Sequence, residues 1–413
     1  MKPKAVLAYC RERGIKSVDL RFSDIQGNWR RITFPLSALS EASFEEGFGQ
    51  VVSLVAPTQG PTVELKEYGI LVPQSDANYL DPFTTHPTLI LLASVQDAMM
   101  REESPFDSRQ LAIRATRFLE SSTIGDGLSV SASVPFRLHD SNSKDQANPN
   151  TFLACGLDDP YFTMRCDIAD TANESGLQID RHFCGVSSSS SMILKHSKLV
   201  ESCDDVMMLR YLVGQLTSRR DVCVSYDELW VTSHWTMTRN GESIFSGGAY
   251  RGMSDIGLQA MSGILHHASS ISAIAVASCP SLTSFPWLRL CSSEHPDSIC
   301  RIAIPSNQPR GRLIEFSGMP SQSNPYLVNS AVLMAMIDGI QNKLATGRSL
   351  DILNSTSFDR TKYVLGSTSL NSIDRDQLKA SLDEDRDFLI QGEVFSDDLI
   401  DTLCQQLQHG FQS

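Results

Sequence analysis

VSASVPFRLHD, Val130 to Asp140, alternates along its length: Val130, Ala132, Val134, Phe136 and Leu138 fall on one face of a strand, with Ser131, Ser133, Pro135 and Arg137 on the other. The apolar face marks a core strand, and the opposite face carries no carboxylate. Upstream, FDSRQLAIRATRFLESS predicts a helix with Asp107 or Ser108 as N-cap and Leu111, Ala115, Phe118 and Leu119 on one stripe. Downstream, HDSNSKDQANPN reads as a polar loop and PYFTMRCDIADTANESG as a helix closed by Gly176. The serine run Ser187 to Ser191 is read as a flexible loop or a polar strand in preference to a phosphate-binding or phosphorylated segment.

Further out, IKSVDLRFSDIQGNWRRITFP (Ile15 to Pro35) predicts strand, turn, strand, with Gly27 in the turn. TLILLASV (Thr88 to Val95) reads as a buried strand, and REESP (Arg101 to Pro105) as the end of a small hairpin-rich domain. The C-terminal third is helical. Asn324 and Pro325 open NPYLVNSAVLMAMIDGIQNKLATG, which Gly347 is expected to close, and Ser396 caps a last helix, SDDLIDTLCQQLQ.

A chain of 413 residues fits two domains, placed at 1–100 and 101–413. The formal net charge of −13 argues against nucleic acid or an anionic membrane surface as partner. No segment reaches the roughly 18 to 20 uninterrupted apolar residues of a membrane span, and a cytoplasmic protein is expected. The 10 cysteines occur singly, without CxxC pairs, and read as small reduced core residues.

Taken in order, the landmarks resemble the glutamine synthetase family of the bacterial ring-forming type. VDLRFSDIQGNWRRITFP, FEEG (Phe44 to Gly47) and DPF (Asp81 to Phe83) look like that family's N-terminal β-grasp domain. RNGESIFSGGAYRGMS, GILHHASSISAIA, RGRLIEF, NPYLVNSAVLMAMIDGIQNK and DRDFLIQGEVFSDDLID look like successive pieces of its large domain. The implied fold class is α+β: a β-grasp domain followed by a glutamine-synthetase-type α/β catalytic-like domain. The implied chemistry passes the γ-phosphoryl group of ATP to the glutamate side chain, after which ammonia displaces phosphate. Divalent Mg or Mn ions held by hard oxygen ligands are needed for it.

The metal positions implied by the resemblance are lost one after another in this chain. The paired strand glutamates correspond to Ser133 and Pro135, the next pair falls near Gly185 and Ile193, and no Asp or Glu stands between Arg181 and Val200. The family's metal and nucleotide histidine corresponds to Thr232, with His234 kept two residues along; only Glu315 in RGRLIEF survives as a carboxylate. The glutamate-binding arginine corresponds to Ser317, and the loop acid at the ammonium site falls near Arg289 in SLTSFPWLRL, where a positive charge would repel ammonium. The aspartates that reach a neighbouring subunit are missing near Val51 and Tyr68, while Arg301 and Arg312 match arginines near the nucleotide.

Glu315, His234, Arg301 and Arg312 therefore make up a vestigial pocket, with no metal and no cofactor expected. His266 and His267 read as packing residues, and Asp158 and Asp159, with Asp167 and Asp170, as a solvated loop. The function expected is that of a pseudoenzyme, a scaffold or regulatory partner in nitrogen metabolism that forms a homo-oligomeric ring or joins an active homologue. The alternative is an active ATP-dependent carboxylate–amine ligase of altered substrate.

Overall fold

The computed structural model describes residues 2–55, 67–140, 151–279, 282, 299–306, 308, 310–344 and 375–408. In chain order the first elements are α1 (Pro3–Glu12), β1 (Ser17–Ser23), β2 (Trp29–Pro35), α2 (Ser43–Glu46), β3 (Phe48–Val52), β4 (Glu67–Asp81) and β5 (Thr88–Asp97). Next come α3 (Ser108–Ser121), β6 (Gly127–Asp140), α4 (Phe162–Ser175), β7 (Ile179–Cys184), β8 (Ser189–Leu194), α5 (Leu199–Ser218) and β9 (Val222–Ser225). Then follow β10 (Trp230–Arg239), β11 (Glu242–Ser243), α6 (Asp255–His266), α7 (Ala268–Ala277), β12 (Cys300–Ala303) and β13 (Leu313–Pro320). The helices α8 (Pro325–Gln341), α9 (Arg375–Glu384), α10 (Asp387–Ile390) and α11 (Asp397–Gln408) complete the described chain.

By compactness the chain divides into Met1–Gln110, Pro135–Lys195 and Cys203–Tyr226 as one unit, and Leu111–Val134, His196–Ser202 and Asp227–Ser413 as the other. This division differs from the 1–100 and 101–413 split read from sequence, because the first unit takes in segments well beyond residue 101.

The first unit holds a five-stranded sheet in the order β2-β1-β5-β4-β3, with β1 and β5 parallel and the other neighbours antiparallel. Parallel central strands flanked by hairpins, with α1 supplying Val6 and Cys10 to the same core as Val18, Leu20, Leu89 and Leu91, make the β-grasp arrangement. The predicted β1–β2 hairpin turns at Gly27, whose φ of 75° suits a residue without Cβ. One polar group sits inside this apolar setting. Arg21, 2% exposed, bonds Asp19 and Asp81, and Tyr211 donates to Asp81 at 2.8 Å, so the buried guanidinium is matched by carboxylates. The first unit also contains the antiparallel hairpin β7–β8, with β9 along the last residues of β6.

In the second unit the antiparallel strands run β12-β13-β10-β6 and β11 pairs β10. Burial follows the pattern that predicted β6. Val130, Ala132 and Val134 are buried, and on β10 Val231, Ser233, Trp235 and Met237 alternate inward. Helices α6 and α8 touch through Gly263 and Gly339, where an added Cβ on Gly263 would stand 2.9 Å from the Gly339 backbone. Asn324 caps α8 by accepting from the Tyr326 and Leu327 amides, as its sequence suggests. The helix stops at Gln341, short of Gly347, because Lys343 leaves helical geometry at φ 48°; Gly347 lies outside the described residues. Ser396 caps α11 as expected, its hydroxyl accepting from the Leu399 amide at 3.2 Å. No single described helix is long and apolar enough to cross a membrane; the consecutive pair α6 and α7, bent by 58°, has most of its residues buried within its own unit.

Candidate active site

Directly opposite residues in an antiparallel pair share a face, so the register decides which side chains meet. Across β6, β10, β13 and β12 the register places Ser131 opposite His234, His234 opposite Glu315, and Arg301 opposite Glu315. These residues form one row on the half-open face of the sheet. His234 Nε2 stands 3.4 Å from Glu315 Oε2, and Arg301 donates through Nε at 2.7 Å and through a second guanidinium nitrogen to Glu315 Oε1. Burial alone would push the Glu315 carboxyl up; the His234 hydrogen bond and the Arg301 guanidinium outweigh it and hold the group below the ordinary carboxylate range.

A second row lies beside the first. Ser133 is opposite Thr232, and an irregular register between Val231 and Ser233 lets Thr232 Oγ1 lie 3.2 Å from Ser317 Oγ. Ser317 in turn donates to Glu315 Oε1 at 3.5 Å. The side chains drawn together are thus hydroxyls, an imidazole, a guanidinium and a single carboxylate.

Arg312 belongs to a different group. Its Nε donates to the Arg251 carbonyl at 2.7 Å and its amide to Ser246 Oγ at 2.9 Å. Pro135, Gly185 and Ile193 lie in the first unit. Pro135 is half-buried on β6, Gly185 follows β7 with its amide bonded to the Ser189 carbonyl, and Ile193 is buried on β8 opposite Arg181. A Cβ at Gly185 would meet Ser189 Oγ, so a side chain there requires that hydroxyl to turn away. Arg289 lies outside the described residues, whereas Val51 and Tyr68 are exposed and face each other across β3 and β4.

These residues do not fit a pair of divalent cations. Metal sites of this kind need several hard anionic oxygens, and the one acid present is already balanced by a guanidinium. At an effective dielectric near 20, a divalent ion about 5 Å from that guanidinium is repelled by on the order of 6 kcal/mol, which neutral hydroxyls do not offset. Among the described residues no group of three or more His, Cys, Asp or Glu side chains is arranged to hold a metal.

The comparisons with known proteins bear on this sheet and its flanking helices. A family model described as the glutamine synthetase catalytic domain matches residues 129–409. The chain belongs to the glutamine synthetase family. It is 28% identical to the glutamine synthetase of Methylococcus capsulatus over 97% of this chain and 94% of the relative. Against the glutamine synthetase of Aquifex aeolicus the identity is 26%, over 96% and 93% of the two chains. A cryo-EM structure of Plasmodium falciparum glutamine synthetase superposes with a TM-score of 0.79, covering 99% of this chain and 95% of that one at 14% identity, a likeness of fold.

Within this glutamine synthetase fold, ionic groups that the sequence reading placed in loops and packing turn out to be organised. Asp159 is buried and paired with buried Arg165, not solvated; Asp167 pairs with Arg220. His267 is more than packing. Its Nδ1 lies 2.8 Å from Asp385 and its Nε2 3.0 Å from Asp338, and its ring stacks on Phe388 at 3.8 Å. Burial opposes a charged ring here, but the Asp385 and Asp338 hydrogen bonds more than offset it and raise the His267 pKa. The acids lie 71 and 118 residues away in sequence, so no local pattern announces them. The serine run forms buried strand from Ser189 onward, with Ser187 and Ser188 at positive φ. Its hydroxyls are accommodated by bonds such as Ser190 Oγ accepting from Arg165 at 3.3 Å.

Proposed function

We propose that this chain is a glutamine synthetase homologue that has lost ATP-dependent glutamate–ammonia ligation and acts as a non-catalytic scaffold or regulatory partner. The observation that carries this reading is the state of Glu315, whose two oxygens are taken by Arg301 and His234. Removing one preorganised charge-stabilising group from such a reaction costs about 2.7 to 4 kcal/mol of transition-state stabilisation, and losses at several positions do not restore one another. With Ser133, Pro135, Gly185, Ile193 and Thr232 at the other positions, no oxygen-rich cage is left to draw ATP and its cations in.

Titration calorimetry with Mg²⁺ or Mn²⁺ and ATP is expected to give no binding tighter than about millimolar. Micromolar affinity, or ATP turnover with any amino acid as acceptor, rejects this reading in favour of an active ligase of altered substrate. The retained FEEG, GAYRGMS and NPYL segments support assembly into a ring, alone or with an active homologue, in a cytoplasmic setting. Mass photometry showing only a monomer, with no co-assembly with an intact homologue, removes the scaffold half of the proposal.

A further inference from the structure

Outside the sheet face just described, one pairing of a nucleophile with a base stands apart. Cys166, on α4, places its sulfur 3.8 Å from Nε2 of His182 on β7. Both side chains are half-buried, so neither is sealed from solvent. The Phe162 ring tilts against the imidazole at 5.9 Å, and the imidazole Nδ1 is buried with no hydrogen-bond partner among the described residues. Among the described residues, the thiol is the one hydrogen-bonding contact of the ring. Phe162 is itself exposed and lends the approach an apolar wall.

We infer that Cys166 and His182 form a nucleophilic dyad that makes Cys166 a site of thiol–disulfide exchange with small neutral disulfides. In the exchange His182 Nε2 takes the Cys166 proton, and the sulfur attacks one sulfur of the disulfide. A new S–S bond forms, the old one breaks, and the departing thiolate receives the proton from His182, so no further oxidant or reductant is needed.

The charges facing the pair are Arg165, Asp159 and Asp170 for His182, with Asp167 next to Cys166 already paired to Arg220. Burial first, and the Arg165 guanidinium second, hold the His182 pKa below its ordinary value against the pull of those acids, so the ring is neutral and ready to accept a proton near pH 7. The other cysteines supply contrasts. Cys184 is buried, and burial pushes its thiol up; Cys155 is exposed and bonds no histidine among the described residues, whereas exposed Cys223 stands opposite His139 across β9 and β6.

The test uses the whole protein and the neutral aromatic disulfide dithiodipyridine in brief, limiting exposure, with peptide mapping of the mixed disulfides between pH 5 and 8. An unassisted thiol gains reactivity through its own pKa of about 8.5, whereas a base-assisted one levels off above the pKa of its base. At pH 6 Cys166 is expected to react about tenfold or more faster than exposed Cys155, with a plateau by pH 7. His182→Gln is expected to abolish the plateau and bring Cys166 down to the rate of Cys155 or below. Earlier labelling of Cys155 at pH 6 overturns the inference, as does an unchanged Cys166 profile in His182→Gln. The wild-type ranking needs no variant and stands even if the substitution fails to fold.

Discussion

Two clusters of the second unit join a histidine to acids, and they are balanced in opposite senses. At Glu315, one carboxylate is shared by Arg301 and His234 on a half-open sheet face, with the Arg301 side chain 32% exposed. At His267, one imidazole is shared by Asp338 and Asp385 where α6 meets α7, and its side chain is 5% exposed. In the helical cluster the acids outnumber the base and raise its pKa; in the sheet cluster the one acid is matched by the Arg301 guanidinium. A phosphoryl-transfer site works with carboxylates whose charge is available to a metal. The sheet face of this chain has closed its charge upon itself, as a structural ion pair does.

The sharpest way to break that contrast is to remove each centre. His267→Ala leaves two carboxylates, Asp338 largely buried, without the imidazole that bridges them and is expected to lower unfolding free energy by about 3 to 5 kcal/mol in urea titration. Glu315→Ala leaves Arg301 able to turn to water and is expected to lose about 1 to 2 kcal/mol. Equal losses would mean that the sheet cluster is as integral to folding as the helical one.

Acid and base should separate the two centres next. His267 has a raised folded pKa, so its stabilisation is complete below the unfolded value of about 6.5 and fades as pH rises through the raised one. Glu315 has a lowered pKa, so its stabilisation is present above the unfolded value of about 4.3 and is lost as pH falls through the depressed one. The stability gap between wild type and His267→Gln should therefore narrow towards alkaline pH, and the gap to Glu315→Gln should narrow in acid. Gaps that stay constant would remove the electrostatic account of both clusters.

Much of the framework was legible because it is written locally. The alternation of Val130 to Leu138, the Gly27 turn and the caps at Asn324 and Ser396 each act within a few residues. The end of α8 was not, since Pro325 to Gly339 is buried on every side and gives no amphipathic stripe to lose. Nor was the buried serine strand, because small hydroxyls pack once Arg165 and neighbouring backbone satisfy them. At the candidate site the resemblance supplied positions, but the pairing of Glu315 with Arg301 and His234 depends on strand register, which one strand's pattern does not contain. Arg312, grouped with them in sequence, is drawn off by the Arg251 carbonyl.

A small metal response is expected beside these effects. Millimolar Mg²⁺ or a chelator should move the melting temperature by less than about 1 °C, because a ligand at or below its dissociation constant adds at most about 0.4 kcal/mol. A larger rise would point to a cation held on the sheet face and would reopen the catalytic reading.

The smallest expected effect probes the hydroxyl row. Thr232→Val keeps the β-branched shape on β10 and removes only the oxygen that meets Ser317 at 3.2 Å. Ser317 keeps its bond to Glu315, and the half-open face admits water to the remaining hydroxyl, so the loss should be about 0.5 to 1 kcal/mol. Heats measured with Mg²⁺ and ATP should not change. A loss of the size expected for His267→Ala would make the hydroxyl row part of the structural core, and altered nucleotide heats would make it a ligand site. Either result would erase the distinction between a helical cluster that holds the fold and a sheet face whose one carboxylate is paired with Arg301 and His234.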